Sequence, residues 1–187
     1  MARGSTWTNK DGLVVGFGTH SADNGVAAVV GGSGAFKTLQ VKLEDATALE
    51  AVGSITAASF KPQDVVIPRG SRILEASFTV TAAFTTSASG ALNIGTNEAG
   101  LSGDYTADDE NGIDAAIAVT ALDAIGATVA CDGALVAGVT TCGAASTSDV
   151  KICFGYTTGV FTAGAGVLTV RYIEPTLNMG DTFLAVE

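Results

Sequence analysis

The sequence predicts an all-β protein, an antiparallel β-sandwich, and three observations lead there. Apolar side chains recur at every second position in several runs, the period of a half-buried strand. The runs are rich in Val and Thr, whose β-branched side chains lose freedom in a helix and sit well on a pleated face. Gly-rich connections such as GGSGAF, TSASGA, TTGVF and TAGAG separate them, with 24 Gly in 187 residues to supply the backbone freedom of tight turns.

Residues 1–35 read as an extended N-terminal arm, and residues 36–187 as the sandwich domain. The arm mixes Gly, Asn, Asp and Ser with isolated Trp7, Phe17 and His20, too little apolar material for a core of its own but enough to lie across a neighbour. Short strand candidates within it are Leu13 to Phe17 and Val26 to Val30. Leu39, Val41 and Leu43 then alternate with Thr38, Gln40 and Lys42. Val65 to Ile67 is a weaker candidate before Pro68. The clearest strand is SRILEASFTVTAAF, where Leu74, Ala76, Phe78, Val80, Ala82 and Phe84 are expected inward and Glu75, Ser77, Thr79 and Thr81 outward. Leu92 and Ile94, a weaker Thr128 to Ala130, then Val150, Ile152, Phe154 and Tyr156, and finally Leu168, Val170 and Tyr172 continue the pattern. Phe183 and Leu184 mark a last strand or docking segment. Strands at this spacing, without long helices between them, argue for a sandwich of about seven to ten strands.

NGIDAAIAVTALDAIG breaks the alternation. Ile113, Ile117, Ala121 and Ile125 fall at i, i+4 steps, with Asn111 or Asp114 available as an N-cap, so a short helix is expected near 113–125. Such an insert would cap an open edge of the sandwich, where a bare strand invites unwanted pairing.

The charge is −10 and only 15% of residues are charged. The nine Lys and Arg are scattered, so no basic cluster is available to neutralise phosphates, and nucleic acid is not an expected partner. No run approaches ~18 strongly apolar residues and the opening MARGSTWTNKDG lacks a signal-peptide core, so a soluble, cytoplasmically synthesised protein without membrane attachment is expected. Cys131, Cys142 and Cys153 are odd in number, eleven residues apart, and form no CxxC pair. They read as reduced, structural thiols.

Chemistry is sparse. The sole histidine, His20, lies in the arm, and any Ser-His-Asp or Cys-His system would have to use it. Asp104, Asp108, Asp109, Glu110 and Asp114 are the densest charge cluster. A carboxylate pair such as Asp108 and Glu110 could flank a glycosidic bond, but only Tyr105 is nearby as an aromatic platform. The same oxygens could ligate calcium, yet the order of an EF-hand loop is missing, which favours a solvated acidic loop. GGSG before a lysine lacks phosphate-loop spacing and leads into a strand. No catalytic residue, metal or cofactor is assigned, and the protein is not expected to be an enzyme.

Four stretches together carry a resemblance: STWTNKDGLVVGFGTH (5–20), IPRGSRILEASFTVTAAFTTSASGALNIGTNEA (67–99), NGIDAAIAVTALDAIGA (111–127) and GVFTAGAGVLTVRYIEP (159–175). Their pattern resembles small virion structural proteins of tailed bacteriophages. The resemblance implies a jelly-roll-like sandwich that decorates and stabilises the capsid as a cement protein. It also implies the major capsid protein as partner, self-association as a homotrimer, and a place on the capsid surface. Within it, Trp7 and Phe17 are candidate arm anchors, because buried aromatics dominate interface energies, and Arg69, Arg72 and Arg171 are candidate polar contacts. A tail or fibre subunit and a carbohydrate-binding surface module are the alternative readings.

Overall fold

The computed structural model describes residues 5–8, 14–17, 20–21, 27–31, 36–55, 66–98, 107–145 and 148–175. Its strands are β1 (Ser5–Thr8), β2 (Val14–Phe17), β3 (His20–Ser21), β4 (Ala27–Gly31), β5 (Phe36–Leu43), β6 (Arg72–Thr86), β7 (Ala91–Glu98), β8 (Ala107–Ala118), β9 (Thr128–Ala130), β10 (Val150–Thr157) and β11 (Phe161–Ile173). All named pairings are antiparallel. Six strands form one sheet in the order β3-β4-β5-β11-β6-β9, three form a second in the order β10-β7-β8, and β1 pairs with β2. Within the segment expected as an arm, β4 hydrogen-bonds to β5 and so continues the main sheet.

The two larger sheets make the sandwich. Leu39 and Val41 of β5, Phe78 and Val80 of β6, and Leu168 and Val170 of β11 face Leu92 and Ile94 of β7 and Ile152 and Phe154 of β10 in one buried cluster. The alternation read from the sequence is what places these side chains, since a period of two puts a whole apolar set on one face. Phe78, Phe84, Phe154 and Phe161 pack edge to face through it, with centroids 5.4–6.2 Å apart, the arrangement the ring quadrupole favours.

Two expected inward residues of β6 point to solvent. The pairing runs Arg171 with Glu75 and then Tyr172 with Ile73, so Leu74 is an extra residue without an opposite number; a second slip skips Thr81 between Ala82 and Val80. A bulge reverses the facing of the residues beyond it. Ile73 is therefore buried in place of Leu74, and Ala82 is exposed.

The helix expected near 113–125 is also corrected. Residues up to Ala118 belong to β8, followed by one 3-10 turn, Val119–Ala121. Spacing of i, i+4 fits a strand as well as a helix, because every fourth residue of a strand returns to the same face. Ile113 and Ile117 are both buried from β8, while Ala116 takes a φ of 64°, outside the right-handed helical region. Its N–H donates to Asn93 Oδ1 on β7 (3.1 Å).

The capping role expected of the helix is filled by extended and turn backbone over 119–143. Leu122 accepts from Phe84 N–H, Gly126 and Ala127 exchange bonds with Val80, Cys131 N–H reaches Ala76, and Cys142 N–H reaches Ser71, all along the free side of β6. Gly133 and Leu135 N–H groups reach Ile113 and Gly112 on β8. One segment thus closes an edge of each sheet, satisfying backbone groups that would otherwise template foreign strands.

Candidate functional site

The five sequence-predicted interface residues fall into two groups. Trp7 lies on β1 opposite Val15, and Phe17 on β2 opposite Ser5, so both belong to one two-stranded sheet; their side chains lie outside the described part of the structure, as do Asp104 and Tyr105 entirely. His20 is opposite Val29 in the backbone pairing of β3 with β4.

Arg72 and Arg171 lie on adjacent strands at one end of the main sheet, and Arg69 lies in the loop before β6. Arg69 is tied into the local loops: its N–H donates to Asp149 Oδ1 (3.0 Å) and its Nε to the Gly143 carbonyl (3.2 Å). Arg72 begins β6 and pairs with Ile173, with its guanidinium against Gly138. Arg171 Nη1 lies 3.5 Å from Glu75 Oε2, an exposed pair whose contribution to stability is small because water screens it.

Apolar side chains sit beside these cations. Phe36, Ile173 and Arg72 are opposite one another across β5, β11 and β6, hence on one face. Phe36 is 49% exposed, and Leu74, turned out by its bulge, is 38% exposed. Val139, next to the glycine that Arg72 touches, is 81% exposed. Sequence reasoning placed Leu74 in the core and left Phe36 and Val139 unassigned. The adjacent apolar pair Ile73-Leu74 in an otherwise alternating strand was the available signal, since only one of two neighbours can face inward.

The acidic cluster is dispersed into structural work. Asp108 Oδ2 accepts from Thr96 Oγ1 (2.9 Å) and from the Gly143 N–H (3.2 Å), joining β7 and β8 to the loop before β10. Glu110, buried, accepts from the Gly53 N–H. Asp114, also buried, hydrogen-bonds with the Cys131 thiol beside Asp132. The three carboxylates thus hold three different loops. The local path of β8 depends on Gly95, where an added Cβ would overlap the backbone of Asp109 and Glu110. Burial, then the charge of Asp108, raises Asp109 above the usual carboxylate range. Burial, then the charge of Asp132, raises Asp114 to about 6. Among the described residues no three His, Cys, Asp or Glu side chains are grouped to hold a metal ion.

Cys131, Cys142 and Cys153 are free and buried. Burial pushes the first two thiols up to about 12, with the charges of Asp114 and Asp108 respectively adding to it, and pushes Cys153 well above its usual value. Such thiols carry almost no thiolate at neutral pH and are poor nucleophiles. No protein-family model matches the chain, and neither a curated protein nor a solved structure matches it.

Proposed function

We propose that this chain is a structural subunit that acts by docking, against copies of itself and a larger shell, in the manner of a protein that decorates and stabilises a tailed-phage capsid. The observation that carries the reading is the solvent-facing end of the main sheet, where Phe36, Leu74 and Val139 lie beside Arg72 and Arg171. Apolar side chains rimmed by arginines are the composition of an interface core and its edge. The resemblance in 5–20, 67–99, 111–127 and 159–175 supplies the virion context. A repeated lattice suits such a subunit, because many modest contacts add through symmetry and multivalency, and binding only the assembled state stabilises that state by mass action. The acidic balance of the chain favours solubility before docking.

Mass spectrometry of purified particles, with cryo-EM density to locate the sandwich, tests the proposal. Stoichiometric density on the head supports it. Absence from particles rejects it, and density on the tail replaces the head assignment with a tail role.

A further inference from the structure

We infer that the sheet end carrying Phe36, Leu74 and Arg72 receives the Asp123–Gly126 turn of a second copy of this chain, in a head-to-tail contact. The inference rests on the docking function proposed above and names the partner surface.

The knob is built for projection. Leu122 is fully buried and anchors the turn, its carbonyl accepting from Phe84 N–H (2.9 Å). Three residues on, Ile125 is 75% exposed. The turn closes through the Ala127 N–H to the Ala124 carbonyl (3.1 Å), and the Gly126 N–H is pinned to the Val80 carbonyl (2.9 Å). Gly126 takes a φ of +84°, which favours glycine. A large apolar side chain is therefore held in water on an ordered turn, with the exposed carboxylate of Asp123 two residues away.

The receptor has the complementary character. Phe36 and Leu74 supply exposed apolar surface, and Arg72 has no carboxylate partner among the described residues. Leu74 reaches this surface only because the bulge at Arg171/Tyr172 gives its core place to Ile73; bulges recur where a side chain must be re-aimed. An Ile125 against Phe36 and Leu74, with Asp123 toward Arg72, matches apolar to apolar and anion to cation.

The two surfaces are apart on one molecule. The turn lies beside Val80 of β6 and the receptor around Leu74, a separation along the strand of about 20 Å at ~3.3 Å per residue. The pairing of unlike surfaces is heterologous, and it propagates to a closed ring where the rotation allows.

Sedimentation velocity over a concentration series tests the contact, using the full chain, Leu74→Glu and Ile125→Glu. Both substitutions fall on exposed side chains, and circular dichroism checks that the fold is kept. The native chain is expected to associate, and each variant alone to weaken association at least about tenfold, the scale of one lost anchor. An equimolar mixture of the two variants should form a heterodimer, because Leu74→Glu retains the knob and Ile125→Glu retains the receptor. A native chain that stays monomeric, a variant that associates as the native chain does, or a mixture that stays monomeric overturns the inference. Particle incorporation separates this from the function: Ile125→Glu incorporated at native occupancy refutes the contact and leaves the structural role standing, whereas a native chain that associates in solution but is absent from particles refutes the role.

Discussion

Phe78 of β6 and Phe154 of β10 meet edge to face across the sandwich, with ring centroids 6.2 Å apart and planes inclined at 60°. The pair joins the six-stranded sheet to the three-stranded one within the buried cluster. Phe78→Ala is expected to lower unfolding free energy by ~3–5 kcal/mol, the usual cost of emptying a buried aromatic site. A double-mutant cycle with Phe154→Ala should show a coupling of ~0.5–1.5 kcal/mol beyond the separate losses. Urea unfolding measures both, and additivity would mean that the rings do not support one another.

Asp114 gives a pH dependence of defined sign. Its folded pKa, about 6, lies above the ordinary value of 3.8 that holds in the unfolded chain. The folded state therefore binds the proton more tightly, and stability from this group falls as pH rises from about 4 through 6. Above that window the buried carboxylate near Asp132 is a full liability. Asp114→Asn should raise the melting temperature at pH 7.5, and the difference from the native protein should disappear below about pH 4. An equal or lower melting temperature for the variant at pH 7.5 would show that the charge is compensated.

Gly95 is where β8 passes too close for a side chain. Gly95→Ala is expected to cost at least ~1–3 kcal/mol, the range for overpacking a filled site, because the obstacle is backbone of Asp109 and Glu110 and not a movable side chain. Chemical denaturation measures it, and an unchanged midpoint would show that the strand can move aside.

The thiols supply a test of burial. At pH 8 no cysteine of the native chain should react with a chromogenic disulfide on the minute timescale, and three should react after denaturation. Rapid native labelling of Cys131, Cys142 or Cys153 would contradict their placement in the interior.

Much of the sandwich was legible because burial follows alternation wherever a strand is regular. Leu39, Val41, Phe78, Val80, Leu92, Ile94, Leu168 and Val170 are inward as their spacing indicates. The reading failed where the backbone departs from a period of two. A bulge is invisible to a pattern that counts positions, so Leu74 and Ile73 exchanged faces and Ala82 turned outward. Ile113 and Ile117 fit a helical stripe and a strand face equally, because their spacing is common to both periods. Of the candidate surface, Arg72 and Arg171 lie on adjacent strands and Arg69 is tied to the Gly143 and Asp149 loops, while the apolar part, Phe36, Leu74 and Val139, arises from register and from a loop that local sequence does not place. The acidic run looked like one cluster in sequence, and the fold sends Asp108, Glu110 and Asp114 to three separate loops.

The docking role is tested most directly by cosedimentation of the purified chain with intact capsid shells stripped of it, beside the same shell protein in unassembled form. Saturable binding to the assembled shell and none to free subunits is the expected result. A chain that stays in the supernatant with intact shells would contradict it.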